Sequence, residues 1–536
     1  MKLRAMFAAA VALVALSTAG CSQVPPETAV AAVSPTDAPV TVRVDTGLLR
    51  GESTATARRF LGVPYAKPPV GDLRWAPPRP AASWPGVREA VRPGSRCPQT
   101  ADGPAQPAST DEDCLFANVT TPRKTVPGVK LPVMVWWHGG GYTHGAGSDY
   151  HADRLAAQGD VIVVTLNYRL GVFGYFGLPG LAGSGNFGLQ DQIAGTRWAR
   201  RNAAAFGGDP GNVTVFGESA GGMSACAMLT SPQARGLFDK VSISSGSCLL
   251  NWPAGGLYPG APRQTPYTSL RQDQADGLAS ARSHGCPTNE LSCMRTKPAA
   301  ELLPLNEDFD NHLAHGTPLL PLDPATALRK GRFLHVPVIS GGNRDETRSY
   351  VGGAMLAGVP PITAKTYPAM LRTSFGADAG RVAARYPLSR YQSPPLAWST
   401  VVTDASWACQ TAAADRYLAA HTTVYPYEFA DPDAPNVNRM NIPGLPMGAA
   451  HGSDLPSLFD LGGHYGLRTR AQQMMGATMV SYWSTFARTG DPNHPGAPKW
   501  APGTAGGTRQ MQFVPDLVRQ TDVAARHHCP FWETVR

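Results

Sequence analysis

The chain has 536 residues, of which 43% are hydrophobic and 16% charged, with a formal net charge of +8. That charged fraction, below the roughly 25% of an average soluble chain, excludes a disordered polyelectrolyte, and 57 glycines with 50 prolines spread without a repeat indicate long ordered loops. The positive charge is scattered and no basic run interleaves with aromatics, so nucleic acid is not an expected partner.

In chain order, Lys2 and Arg4 precede an apolar run over residues 5–16. A bilayer-spanning helix needs about 20 residues, so residues 1–20 read as a signal peptide. Thr18-Ala19-Gly20-Cys21 resembles a bacterial lipobox, in which cleavage before Cys21 leaves its thiol for lipid attachment. Thr18 stands where leucine is usual, and the competing reading is an ordinary secretory signal. Residues 21–40, rich in Pro, Ala, Thr and Val, form a flexible tether on this reading. The protein is expected outside the cytoplasm, lipid-anchored to the cell membrane or secreted.

Residues 41–536 read as one α/β domain. The runs at 133–137, 161–164, 213–216, 241–243 and 336–339 are short and mostly apolar without polar alternation, as strands covered on both faces are. Helical stretches at 189–206 and 220–229 lie between them. The pattern predicts a mostly parallel central sheet flanked by helices, with long loop insertions.

Gly217-Glu218-Ser219-Ala220-Gly221 follows the strand ending at Phe216 and opens a helix of small residues. Flanking glycines permit the sharp strand-to-helix turn that lifts a serine hydroxyl above a sheet, which makes Ser219 the candidate nucleophile. A serine needs a base to take its proton, and the base needs an acid to hold its tautomer. Asp345-Glu346, just past the strand at 336–339, offers a carboxylate pair at the strand end where open α/β sheets place their sites. Of thirteen histidines, His451 lies in a Gly- and Pro-rich loop beyond the strand-like run 424–429 and is the candidate base. His138-Gly139-Gly140-Gly141-Tyr142 follows the strand 133–137; the amides of Gly140 and Gly141, with that of Ala220, are expected to form an oxyanion hole.

On these stretches the chain resembles the type B carboxylesterase/lipase family of α/β-hydrolases, which includes para-nitrobenzyl esterases and cholinesterases. Further matching stretches are 60–74, 112–116, 167–169, 188–192, 489–493 and 529–532. The resemblance implies that Glu346, not Asp345, is the acid and that His451 is the base. It also implies disulfides Cys97–Cys114, Cys286–Cys293 and Cys409–Cys529. Cys226 and Cys248 have no family counterpart and read equally as buried thiols or as a fourth bridge. No C-x-x-C and no His/Cys cluster at zinc spacing is present in the sequence, so neither metal nor cofactor is expected. The expected activity is hydrolysis of carboxylic esters through an acyl-enzyme; the alternative is a non-catalytic adhesion module on the same fold. Choline esters are not expected substrates, because the loop 98–113 lacks an aromatic to face a quaternary ammonium, unless Trp252 or Tyr142 substitutes. The sequence carries no signal for an oligomeric state.

Overall fold

The computed structural model describes residues 36–101, 106–310 and 312–535. The signal peptide, Cys21 and residues 22–35 of the tether lie outside them. Thr36–Asp37 pairs antiparallel with Lys124–Thr125.

The central sheet has eleven strands: β1 (Glu52–Ser53), β2 (Ala57–Pro64), β3 (Phe116–Pro122), β4 (Leu131–Trp137), β5 (Ile162–Leu166), β6 (Gly208–Glu218), β7 (Lys240–Ser244), β8 (Val338–Asn343), β9 (Val424–Phe429), β10 (Arg509–Phe513) and β11 (Arg519–Asp522). Their spatial order is β11-β10-β9-β8-β7-β6-β4-β5-β3-β2-β1. From β5 to β10 every neighbouring pair is parallel. The pairs at the two edges are antiparallel. The parallel strands flanked by helices are what the alternation of apolar runs predicts, and the mixed sheet as a whole is the α/β-hydrolase arrangement that the family resemblance implies.

Both faces of the parallel strands are buried, and the alternation of side chains divides the core in two. Val133, Val135 and Trp137 of β4 face one cluster with Ile162, Val164, Val213 and Val215. Met134 and Trp136 face the other, with Val163, Phe216, Tyr427 and Phe429. The helices that matter for the site are α1 (Phe187–Asn202), α2 (Ala220–Leu229), α3 (Arg348–Leu356), α4 (Pro394–Val402), α5 (Cys409–Ala419) and α6 (Arg470–Thr489). The predicted helix 189–206 is α1 followed by a tighter 3-10 turn, Ala203–Phe206. Helix α6 covers the second cluster through Met475, Met479, Trp483 and Phe486.

Among the described residues four disulfides join the chain. Cys97–Cys114, Cys286–Cys293 and Cys409–Cys529 are those the family resemblance implies. Cys226 at α2 and Cys248 beyond β7 form the fourth bridge, which resolves the open alternative. Among the described residues no helix is long and apolar enough to cross a membrane.

Candidate active site

The site is built at the C-terminal ends of the parallel strands. Register aligns Glu218 with Ser244, Ser244 with Gly341 and Gly341 with Tyr427, so the next residue out on β6 and β7 is Ser219 and Ser245. Ser219 caps α2 with φ 56° and ψ −124°, a conformation that costs a non-glycine residue about 1–3 kcal/mol and persists because the surroundings fix it. Its amide donates to the Ser244 carbonyl at 3.0 Å, and its carbonyl accepts from Met223 at 2.8 Å. The turn closes only because its flanks carry no side chain: a Cβ at Gly221 would lie 1.8 Å from the Trp137 carbonyl oxygen, and one at Gly217 would lie 2.5 Å from the Gly221 backbone.

The loop after β4 rides over Ser219. A Cβ at Gly139 would sit 2.9 Å from the Ser219 Cβ. Gly140 and Gly141 have φ of 102° and 60°, and the turn is held by the Gly140 carbonyl, which accepts from the amides of Thr143 and His144. His138 is fully buried, stacks on Tyr168 with ring centroids 4.4 Å apart, and lies 2.8 Å through Nδ1 from the Gly139 carbonyl. Burial, against the Gly139 contact, pushes it down to about 4, so it stays neutral.

Glu346 and His451 meet. The Nδ1–H of His451 donates to Glu346 Oε2 at 2.6 Å. The other carboxylate oxygen accepts from Ser245 Oγ at 2.6 Å and from the Asn343 amide at 2.7 Å. A carboxylate only accepts, so Nδ1 carries the proton and Nε2 is the basic position. Nε2 faces Glu218 Oε1 at 3.3 Å. Burial pushes Glu218 above the carboxylate range, with the His451 charge opposing. Burial also disfavours the charged form of His451, but Glu218 and Glu346 outweigh it and hold the imidazole above its ordinary range. The charge on Glu218 therefore sets how basic His451 is.

Several residues around the site escape the sequence reading. Asp345, read as the bland neighbour of Glu346, clamps the histidine loop: its amide donates to the Ala449 carbonyl at 2.9 Å, and its Oδ2 accepts from the Ala449 amide at 3.0 Å. Arg344 and Arg348 hold that carboxylate from either side, each at 2.7 Å. Asp454 accepts from Ser244 Oγ at 2.6 Å and from Asn343 Nδ2 at 3.2 Å. Tyr350 and Trp407 place their rings 5.2 and 5.0 Å from the His451 ring. Asp454 lies three residues after His451, and Asp345, Arg344, Arg348 and Tyr350 lie within four residues of Glu346, but nothing in the local pattern says which of them packs on the site; Trp407 lies on an element remote in sequence. Trp252 and Tyr142 are buried, Trp252 against Trp407 and Tyr142 against Tyr175.

The profile of the Carboxylesterase family matches residues 38–532. This chain belongs to that family. The carboxylesterase is 35% identical to para-nitrobenzyl esterase of Bacillus subtilis, over 83% of this chain and 89% of that protein. It is 34% identical to fumonisin B1 esterase of Sphingopyxis macrogoltabida, over 71% and 69% respectively. It is 32% identical to human cocaine esterase, over 84% and 82%. Membership supports ester hydrolysis as the activity of this carboxylesterase, and Ser219, Glu346 and His451 stand where its sheet places such chemistry.

Proposed function

We propose that this carboxylesterase cleaves uncharged short-to-medium-chain carboxylic esters through an acyl-enzyme carried on Ser219. The observation that carries this reading is the hydrogen bond from His451 Nδ1 to Glu346, made beside a serine on a strained strand-to-helix turn. His451 Nε2 takes the Ser219 proton as Oγ bonds the ester carbonyl carbon, and returns that proton to the leaving alcohol. Glu346 holds the tautomer and stabilises the imidazolium. The amides of Gly140, Gly141 and Ala220 bind the oxyanion. Water then repeats the sequence on the acyl-enzyme and releases the acid. The relatives are named for chemically unlike esters, so what they share with this chain is the ester itself.

The test is labelling with a fluorophosphonate probe, set beside turnover of a neutral aryl ester. The wild-type chain is expected to label and to turn over; Ser219→Ala is expected to do neither. Normal hydrolysis by Ser219→Ala would overturn the mechanism, and absence of labelling in the wild type would favour the adhesion module.

A further inference from the structure

Two non-glycine residues at adjacent strand ends share a left-handed backbone: Ser219 after β6, at φ 56°, and Ser245 after β7, at φ 49°. A side chain tolerates that conformation only where its surroundings fix it. Ser245 needs fixing for a second reason, since its hydroxyl donates to Glu346 Oε1 at 2.6 Å. On one side the sheet holds it, through its amide to the Gly341 carbonyl at 2.7 Å. On the other side lies α2, meeting the turn at bare backbone. A Cβ at Gly246 would be 2.3 Å from the Gly222 carbonyl carbon, and one at Gly222 would be 2.5 Å from the Ser244 carbonyl oxygen. Such contact resists approach far more than separation, and the bond from the Ser219 amide to the Ser244 carbonyl holds the strand end before the turn. A tie against separation stands one helical turn further along the same face of α2, where Cys226, four residues after Gly222, is bonded to Cys248, three after Ser245. Both cysteines are buried.

We infer that Cys226 and Cys248 are positioning residues of the triad: their bridge holds the turn after β7 against α2 and so keeps Ser245 Oγ on Glu346. This rests on the acyl-enzyme reading above. Of the two carboxylate oxygens of Glu346, Oε2 takes the Nδ1–H of His451, and Oε1 is held by Ser245 Oγ and the Asn343 amide. With the bridge gone, the left-handed turn can relax away from α2 and carry the Ser245 hydroxyl off Oε1. The carboxylate then keeps only the Asn343 amide on that oxygen, and it is free to swing about that bond. Positive charge grows on the imidazole in both halves of the reaction, each time His451 takes a proton, and a swinging carboxylate meets it less well than a fixed one. The loss falls on acylation and deacylation alike. Neither cysteine touches the reacting atoms or reaches solvent, so the binding of the ester is untouched.

The experiment is a double-mutant cycle on the full chain: wild type, Ser245→Ala, Cys226→Ala with Cys248→Ala, and all three changes together. Hydrolysis of 4-nitrophenyl butyrate is measured for each, with kcat expressed per site titrated by a fluorophosphonate. Removing one hydrogen bond to a carboxylate is expected to make Ser245→Ala about tenfold slower per site. Loss of the bridge is expected to cost a similar factor in kcat and to leave KM within about twofold. On the bridgeless background Ser245→Ala is expected to cost less than about twofold more, because the bond it removes is already lost. A bridge that only stabilises the fold lowers the melting temperature and the number of titratable sites but not kcat per site. An unchanged kcat per site without the bridge, or a full tenfold cost of Ser245→Ala on that background, would overturn the assignment. So would an unchanged kcat in Ser245→Ala alone. Should the alanine pair not fold, Cys226→Val with Cys248→Ala fills the space of the sulfurs without linking the segments and is held to the same outcomes. If wild type itself fails to label, the acyl-enzyme reading fails, which is a different result.

Discussion

Ser219 is held in a strained backbone conformation by neighbours that tolerate no Cβ, and its base is held by a carboxylate that is itself fixed by Ser245 and Asn343. Each group is set by a second, so the geometry does not depend on any one side chain finding its rotamer. Glu218 is the exception, since it faces Nε2 of His451 without bonding it. Its negative charge favours the imidazolium, the form that cannot act as base. Glu218→Gln removes that charge and leaves the shape, so the acid limb of the kcat/KM profile is expected to move to lower pH, by about one unit for one neighbouring charge. An unmoved acid limb would show that Glu218 is already neutral where the enzyme works.

At the scale of elements, the π-helical segment Thr403–Ala408 links the site to the C-terminus. It carries Trp407 toward His451 and Asp404 toward His527. His527 is buried between Asp404 and Glu428, with its two ring nitrogens 2.5 and 2.6 Å from their oxygens, and the Cys409–Cys529 bridge ties the start of α5, just after this segment, to the chain beside His527. Burial opposes the charge on His527, but the two carboxylates prevail and push it up to about 10. Raised above its ordinary 6.5, the group contributes stability that is complete below that pH and is lost as pH rises through about 10. His527→Gln leaves two buried carboxylates without their cation and is expected to cost about 3–5 kcal/mol near pH 7, by the usual worth of breaking a buried pair. Denaturant unfolding of both proteins should show that difference narrowing toward pH 10; a gap of constant size would contradict the charged-histidine account.

For the whole molecule, the question is which esters reach Ser219. The loop 98–113 carries no aromatic, and the two aromatics that could have substituted, Trp252 and Tyr142, are buried against Trp407 and Tyr175. An uncharged butyrate ester is therefore expected to give a higher kcat/KM than butyrylcholine; the reverse order would mean that Tyr350 or Trp407 offers a face to the ammonium. Attachment outside the cytoplasm is a separate proposal resting on Thr18 to Cys21. Several acyl chains on Cys21 would each add about 0.8 kcal/mol per buried CH₂, enough for firm anchoring. Expressed in a bacterium that processes lipoproteins, the wild type should partition with membranes and Cys21→Ala should not; a wild-type product in the culture fluid with its N-terminus beyond Cys21 would rule this out.

Much of the architecture is legible in the sequence because its signals are local. The runs at 133–137 and 213–216 are strands because continuous apolar β-branched stretches need cover on both faces, and the structure supplies it with two separate clusters. Ser219 is legible because the glycines that permit its turn are its chain neighbours. The residues that hold the site are less so, since Ser245, Tyr350 and Trp407 come from different elements and carry no motif, and the role of Asp345 is not set by its place beside Glu346. Asp345 and Glu346 are alike as adjacent carboxylates, and only packing turns one toward His451 and the other toward the Ala449 backbone. Cys226 and Cys248 are equally ambiguous as a pair of sulfurs 22 residues apart, and the close approach of α2 to the turn after β7 makes them a bridge. Sequence by itself determined the fold class and singled out Ser219 as the candidate, because short-range backbone and hydrophobic rules decide both. Tertiary structure decided which partners surround that serine, because hydrogen bonds and ring contacts depend on distances that close only when remote segments pack.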